Sequence, residues 1–244
     1  MSSYETMEIV WKEERQEIEV SQEKINEIIR FGGYLARRGI ISNSFGNIAI
    51  RGSIAFDDRE VVYTKRRGVS LETMDRSDVV ITGMDENYVV WGEGVPSNGH
   101  QMNRALLRTF PQYNAVIHTH PDIVIGFFSQ RYNDEFKFIS VDTALVLGAP
   151  PKILSKDINL ENNPTNIGDI VGQSTCFVMP NHGLTTLGRD VEEAYHRHTS
   201  FISEIHRILY AETTLGYNRD NISFVSDETT NQLYKLGDSI IYGK

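Results

Sequence analysis

Four short segments rich in β-branched and aromatic residues lie between residues 48 and 91, each bounded by Gly, Asp or Asn. Segments of this length and composition between turn residues are typical of strands in an antiparallel sheet. The pattern predicts strands near 48–51, 60–64, 79–82 and 87–91. Further strands are predicted near 115–120, 140–147 and 175–179.

Apolar residues at helical spacing predict the helices that cover this sheet. The first begins after a candidate N-cap, Ser21, and ends at Gly39, and a second begins at a cap formed by Ser97 or Asn98 and reaches about Phe110. Others are predicted over 122–130, 190–212 and 227–242. The order of elements predicts a single α/β domain with a central, mostly antiparallel β-sheet sandwiched between helices.

The predicted domain covers residues 21–212. A charged N-terminal arm over 1–20 precedes it, and a polar C-terminal tail over 213–244 follows it and is a candidate contact with a neighbouring subunit. Neither flanking segment carries a recognisable chemical motif. The functional residues are therefore expected inside the domain.

Composition restricts the classes of protein and partner. The chain has 244 residues and is 40% apolar, which is enough for a full core, and its net charge of 24 − 33 = −9 argues against nucleic acid or an anionic membrane as a partner. The single cysteine, Cys176, cannot form an internal disulfide. With no segment typical of a signal peptide or a bilayer span, we expect a cytoplasmic protein.

Two histidines, His118 and His120, stand one residue apart at the end of the apolar run 115–117. Alternate side chains of a strand project from the same face, so the two imidazoles are expected to lie together and to chelate one metal ion. A metal site needs further ligands. His182 lies in an Asn-His-Gly turn after another apolar run and is a candidate third ligand.

The other histidines have different expected environments. His198 falls on the apolar stripe of the predicted helix 190–212, which indicates a core histidine held by a hydrogen bond rather than a ligand, whereas His196 and His206 are expected to be solvated. His100 is expected in the first turn of its helix. It could lie near the metal or on the surface.

Several segments together resemble the class II aldolase/adducin family, which includes fuculose-phosphate aldolase and ribulose-phosphate 4-epimerase. They are Ser44 to Arg51, Pro96 to Asn98, Ala115 to Pro121 and Pro180 to Thr185, in the order and spacing of that family. The resemblance implies a three-layer αβα arrangement and a homotetramer. It also implies a divalent metal, usually zinc, held by His118, His120 and His182. Three imidazoles with an open position are typical of a catalytic zinc that stabilises an enediolate.

The resemblance also implies a pocket for a substrate anion. Ser44, Asn47, Ser97 and Asn98 match family positions, while a family Ser/Thr-Gly turn is replaced by Arg67-Gly68 within 65–68. A guanidinium can bind phosphate or carboxylate through paired hydrogen bonds, so an anionic substrate is expected. Lys65 is expected to be a solvated turn residue.

Position 99 departs from the family pattern. The enzymes carry a Glu or Asp there as acid/base, and this chain has Gly99. The adjacent His100 is the candidate replacement, as a proton-transfer group or a fourth ligand.

The expected function is a zinc-dependent lyase of carbohydrate metabolism that cleaves a carbon–carbon bond of a small anionic, oxygenated substrate such as a sugar phosphate. Two alternatives follow from Gly99. Decarboxylation needs no base for its bond-breaking step, and an adducin-head-like interaction module needs no chemistry at all.

Overall fold

The computed structural model describes residues 10–11, 20–53, 59–85, 88–129, 136–214, 216 and 219–242. Its described strands form one nine-stranded sheet in the order β1-β5-β4-β3-β2-β6-β9-β8-β7. Neighbours pair antiparallel except at the two edges, where β1 lies parallel to β5 and β7 lies parallel to β8. The strands are β1 (Val10–Trp11), β2 (Asn47–Ser53), β3 (Glu60–Lys65), β4 (Val79–Gly83), β5 (Tyr88–Trp91), β6 (Ala115–Thr119), β7 (Lys152–Ile153), β8 (Cys176–Met179) and β9 (Gly183–Gly188).

Helices cover both faces of this sheet, which confirms the predicted fold class. Those in the described part of the chain are α1 (Gln22–Arg37), α2 (His100–Thr109), α3 (Asp122–Phe128), α4 (Val141–Leu147), α5 (Ile167–Val171), α6 (Val191–Thr214) and α7 (Asp227–Tyr242). One apolar core contains buried residues of α1, α3, α4 and α6, and the other contains those of α2 and α5. None of the described helices is both long and apolar enough to cross a membrane.

Strand β6 shows how the alternation of side chains positions the histidines. Ala115 and Ile117 belong to the core that includes α1 and α6, while Val116 belongs to the core that includes α2 and α5. By the period of two, His118 projects on the same side as Val116. The candidate ligands therefore lie on the α2 and α5 side of the sheet, at the end of β6.

The predicted strand over 140–147 is wrong, because Val141–Leu147 forms α4. Ser140 is its N-cap and accepts a hydrogen bond from the Asp142 backbone N–H, and Gly148 ends it in the left-handed conformation. These are typical helix signals, and they outweigh the β-branched residues between them. The segment also receives support from Glu204 of α6, whose buried carboxylate accepts hydrogen bonds from the backbone N–H groups of residues 139 and 140.

The predicted N-cap of α2 is also wrong. Gly99 occupies the cap position and no side chain caps the helix. The Ser97 carbonyl instead accepts the His100 N–H at 3.0 Å. Ser97 and Asn98 thus lie in the approach to the helix and are not used to begin it.

The termini fit the sequence prediction only in part. The long helix expected over 190–212 is α6, and α7 has the bounds expected for the last helix. Most of the N-terminal arm expected over 1–20 lies outside the described residues. The domain bounds stay a prediction.

Candidate metal centre and active site

Four side chains place a ligand atom in one small volume at the end of β6. His118, His120, His182 and Glu161 each offer one such atom, and all four atoms lie within 4.8 Å of one another. The Nε2 atoms of His118 and His120 are 2.9 Å apart, and His182 Nε2 lies 3.1 Å from Glu161 Oε2. The structure therefore brings together the three histidines singled out in the sequence and adds a carboxylate.

Strand pairing fixes His118. It pairs with Asn47 of β2 on one side and with Thr185 of β9 on the other. Its Nδ1 atom lies 2.8 Å from Thr185 Oγ1. When Nδ1 donates its proton to that hydroxyl, the lone pair of Nε2 faces the other ligand atoms, as metal-binding imidazoles require.

His120 and His182 are set by the turns that follow β6 and precede β9. The His120 ring stacks on Phe45, with centroids 5.4 Å apart and an interplanar angle of 15°. A Cβ atom at Gly183 would lie 2.4 Å from the Thr119 carbonyl oxygen and 3.0 Å from the His120 ring. Only glycine lets the backbone after His182 approach β6 this closely.

Glu161 was missed in the sequence because it has no spacing relationship to any histidine. It lies in a turn between β7 and α5, where the Asn159 side chain accepts the Glu161 backbone N–H at 3.0 Å. Leu160, next to it, is fully buried in the core of α2 and α5. The Asx-type turn and this apolar anchor aim the carboxylate at the histidines.

Burial dominates the electrostatics of the group. It lowers the pKa of His118 to about 3 and that of His120 to about 4, so both imidazoles are neutral near pH 7. Burial alone would raise the pKa of Glu161, but the charge interaction with His118 and the hydrogen bond with His182 outweigh it and lower that pKa to about 2. Neutral imidazoles beside an ionised carboxylate form a donor set suited to a divalent cation.

The spacing of these atoms fits a single metal ion. Ligand atoms about 2.0–2.1 Å from a tetrahedral zinc are separated by about 3.4 Å. The Nε2–Nε2 distance of 2.9 Å, the His182–Glu161 distance of 3.1 Å and the His118–Glu161 distance of 3.5 Å lie close to that value. The chemistry and the spacing of this donor set both fit the predicted metal.

The segments predicted to bind the substrate anion also meet, and Lys65 connects them. Its ammonium group donates to the Ser44 carbonyl at 2.7 Å and to the Val69 carbonyl at 2.6 Å, while its own carbonyl accepts the Ser97 N–H at 3.1 Å. Lys65 is 1% exposed, so the expectation of a solvated turn residue is wrong. Burial lowers the pKa of its ammonium group to about 8.

The remaining candidates for anion binding are divided between buried and exposed positions. Asn47 is buried, and its side-chain oxygen Oδ1 accepts a hydrogen bond from the Asn103 side-chain amide at 2.6 Å. Arg67 and Asn98 are exposed, and the Arg67 backbone N–H donates to Val95 at 2.8 Å. Gly68 has a φ of 80° and shapes the turn beside them. The candidate anion-binding residues thus include a buried, hydrogen-bonded Asn47 and an exposed guanidinium at Arg67.

His100 does not join the histidine group. Its Nε2 atom lies 2.6 Å from Thr82 Oγ1, and its ring is 1% exposed. Burial, and secondarily the charge of Arg104, lowers its pKa to about 3. These contacts describe a neutral imidazole held by Thr82, outside the group that Glu161 forms with His118, His120 and His182.

His198 is a core residue, as predicted. Its two ring nitrogens lie 2.7 Å from Thr119 Oγ1 and 3.0 Å from Thr186 Oγ1, and it is fully buried. It connects α6 to β6 and β9 on the face opposite His118. It therefore stabilises the strands that carry the ligands and is not itself a ligand.

Comparison with known proteins gives a consistent result. The family model described as the class II aldolase and adducin N-terminal domain matches residues 26–209. An L-fuculose phosphate aldolase of Methanococcus maripaludis is 24% identical over 191 residues, covering 78% of this chain and 98% of that protein. An L-ribulose-5-phosphate 4-epimerase of Salmonella paratyphi B is 36% identical over 87 residues, covering 35% of this chain and 36% of that protein.

Solved structures share the fold. The crystal structure of a sugar-phosphate aldolase from Thermotoga maritima superposes with a TM-score of 0.68 at 18% identity. The match covers 81% of this chain and 97% of that one. At this identity the likeness concerns the fold and not the substrate.

Proposed function

The chain belongs to the class II aldolase and adducin N-terminal domain family, and we propose that it is a divalent-metal-dependent lyase that cleaves a carbon–carbon bond by aldol chemistry. The observation that carries this proposal is the convergence of ligand atoms from three imidazoles and one carboxylate within 4.8 Å of one another. A scaffold without chemistry has no physical need for such a donor set.

We propose that His118, His120 and His182 hold the metal and that zinc is the ion. A divalent metal bound there would supply a Lewis acid that polarises a substrate carbonyl and stabilises negative charge as the carbon–carbon bond breaks. Thr185 keeps the His118 ring in the orientation that binding needs, through the 2.8 Å contact with Nδ1. The stacked Phe45 restricts the His120 ring in the same way and covers it from solvent.

We propose that the substrate is a small oxygenated anion such as a sugar phosphate. Support comes from the meeting of the Ser44, Lys65 and Ser97 segments beside the histidines and from the exposed guanidinium of Arg67. Arg67 can form paired hydrogen bonds with a phosphate, and Asn47, Gly68, Ser97 and Asn98 are the other proposed contacts.

The test combines metal analysis with a cleavage assay. Purified protein is stripped with a chelator, reloaded with Zn²⁺, Mn²⁺ or Co²⁺, and incubated with L-fuculose phosphate and L-ribulose 5-phosphate, the substrates named for the relatives. Aldol cleavage releases an aldehyde that coupled reduction detects. Protein that binds none of these ions, before or after stripping, would exclude the proposed function.

The two alternatives lose their main reason. Decarboxylation and a non-catalytic role were favoured by the absence of a carboxylate at Gly99, and Glu161 places a carboxylate in the same group.

We also propose a homotetramer, supported by three exposed apolar residues of α7, namely Leu236, Ile240 and Ile241. Light scattering on the eluted protein would give four times the mass of the chain.

A further inference from the structure

Gly99 and Glu161 compete for one volume. A Cβ atom built on Gly99 would lie 2.1 Å from Glu161 Oε1 and 2.8 Å from Asn47 Nδ2, closer than carbon approaches either atom in real proteins. The Asn47 amide is held in turn by Asn103 at 2.6 Å, so it cannot move aside without breaking a buried hydrogen bond. Any side chain at position 99 would therefore displace the Glu161 carboxylate.

The backbone does not explain this glycine. Gly99 has φ −73° and ψ 5°, which residues with side chains adopt readily. Its lack of a Cβ is thus needed for space alone. The atom for which the space is kept is the oxygen of Glu161 that faces His118 at 3.5 Å.

We infer that Glu161 is the proton-transfer carboxylate of this site and that Gly99 is the positioning residue that makes room for it. The inference rests on the proposed function for its chemistry. Aldol cleavage removes one proton from a hydroxyl of one fragment and adds one proton to a carbon of the other, so the site needs a group that accepts and returns a proton. The resemblance to the family places such a group at position 99, and here it reaches the same place from another segment.

Three observations qualify Glu161 for this role. Its side chain is 14% exposed, so a substrate can reach it, whereas His118 beside it is fully buried. Its backbone is held by Asn159 and its neighbour Leu160 by the core, so the carboxylate is pre-positioned. It is also the carboxylate that joins the three histidines in the part of the chain that the structure describes.

The first test uses Glu161→Gln, which keeps the shape and removes the charge. Three imidazoles remain, so zinc still binds, with an affinity roughly 10- to 100-fold weaker in a chelator competition. At saturating zinc the turnover falls by about 100-fold or more. Full turnover at saturating zinc would overturn the inference, and so would a variant that takes up no zinc at all, because Glu161 would then be an indispensable ligand.

The second test is a double-mutant cycle on zinc affinity and on the visible spectrum of the Co²⁺ protein. Gly99→Ala should weaken zinc binding about as much as Glu161→Ala, and the double variant should be no weaker than Glu161→Ala alone, because the carboxylate that the new Cβ displaces is already absent and only the contact with Asn47 remains. Gly126→Ala in α3 is the control, since a Cβ there meets nothing within 4 Å. Additive losses of zinc affinity in the double variant would overturn the pairing of Gly99 with Glu161. A Gly99→Ala variant with the zinc affinity of the wild type would also overturn it.

These outcomes separate the inference from the proposed function. The affinity cycle can be read on metal-loaded protein whether or not a substrate has been found. A wild-type protein that binds no metal contradicts the proposed function, whereas a metal-binding protein with an additive cycle contradicts only the pairing of Gly99 with Glu161.

Discussion

His118 and Thr185 face each other across strands β6 and β9, with Nδ1 and Oγ1 2.8 Å apart on paired residues. The hydroxyl therefore acts on the metal site through the ring of a proposed ligand. We predict that Thr185→Val, which keeps the shape and removes the hydroxyl, weakens zinc binding by roughly 10- to 100-fold. Thr186→Val, whose hydroxyl contacts His198 instead, should leave zinc affinity unchanged, and equal losses in the two variants would refute the assignment.

Zinc should stabilise the folded protein through the histidines. Because the ligands come together only in the folded chain, adding zinc at about 1,000 times its dissociation constant should raise the free energy of unfolding by about 4 kcal/mol. His120→Gln should lose most of this gain in a thermal scan of stripped and reloaded protein. His196→Gln, a change at a half-buried residue of α6, should keep the stabilisation by zinc.

Lys65 should give the stability a distinct dependence on pH. The pKa of its ammonium group is lowered to about 8 by burial, against 10.5 for the ordinary group, so between these values the unfolded chain binds more protons. The free energy of unfolding should therefore rise with pH across this window, by up to about 3 kcal/mol relative to Lys65→Met. Urea titrations of both proteins from pH 6 to pH 10.5 measure the difference, which should level off about one pH unit below the folded pKa of about 8.

Glu204 should be important for stability and not for metal binding. Its carboxylate is fully buried and also accepts a hydrogen bond from Thr143 Oγ1 at 2.9 Å, besides the backbone N–H groups before α4. Glu204→Ala leaves these donors unpaired, and we expect a loss of about 3–5 kcal/mol in the free energy of unfolding. Glu192→Ala, exposed on the same helix, should change it by less than about 0.5 kcal/mol.

Arg67 should affect substrate binding more than the chemical step. Its guanidinium is exposed in the free protein and is proposed to bind the anion, so Arg67→Ala should raise KM by about 10- to 100-fold with kcat little changed. Arg37→Ala at the end of α1 is a matched control. A fall in kcat with unchanged KM would place Arg67 in a different role.

The features that the sequence reveals are those governed by local periodicity. The alternation of β6 predicts that His118 and His120 project together, and the stripe of α6 predicts a buried His198. The strand expected at 140–147 failed because capping by Ser140 and Gly148 outweighs β propensity there.

Long-range contacts account for what the sequence did not reveal. The burial of Lys65 depends on carbonyl groups at Ser44 and Val69 that only the folded chain brings to it. Glu161 lies in an Asn-rich turn that is typical of an exposed loop, and its approach to Gly99 depends on the burial of Leu160 in the core that contains residues of α2 and α5. No spacing rule relates either residue to the histidine motif.

The space beside Gly99 has a consequence for how relatives of this chain are classified. A carboxylate that enters the site from the turn before α5 is invisible to any comparison that inspects one aligned column for an acidic residue. A relative with glycine in that column would be set aside as inactive, even where another segment supplies the carboxylate. Chains of this kind should be sorted by what fills the volume next to the histidines, whichever segment supplies it.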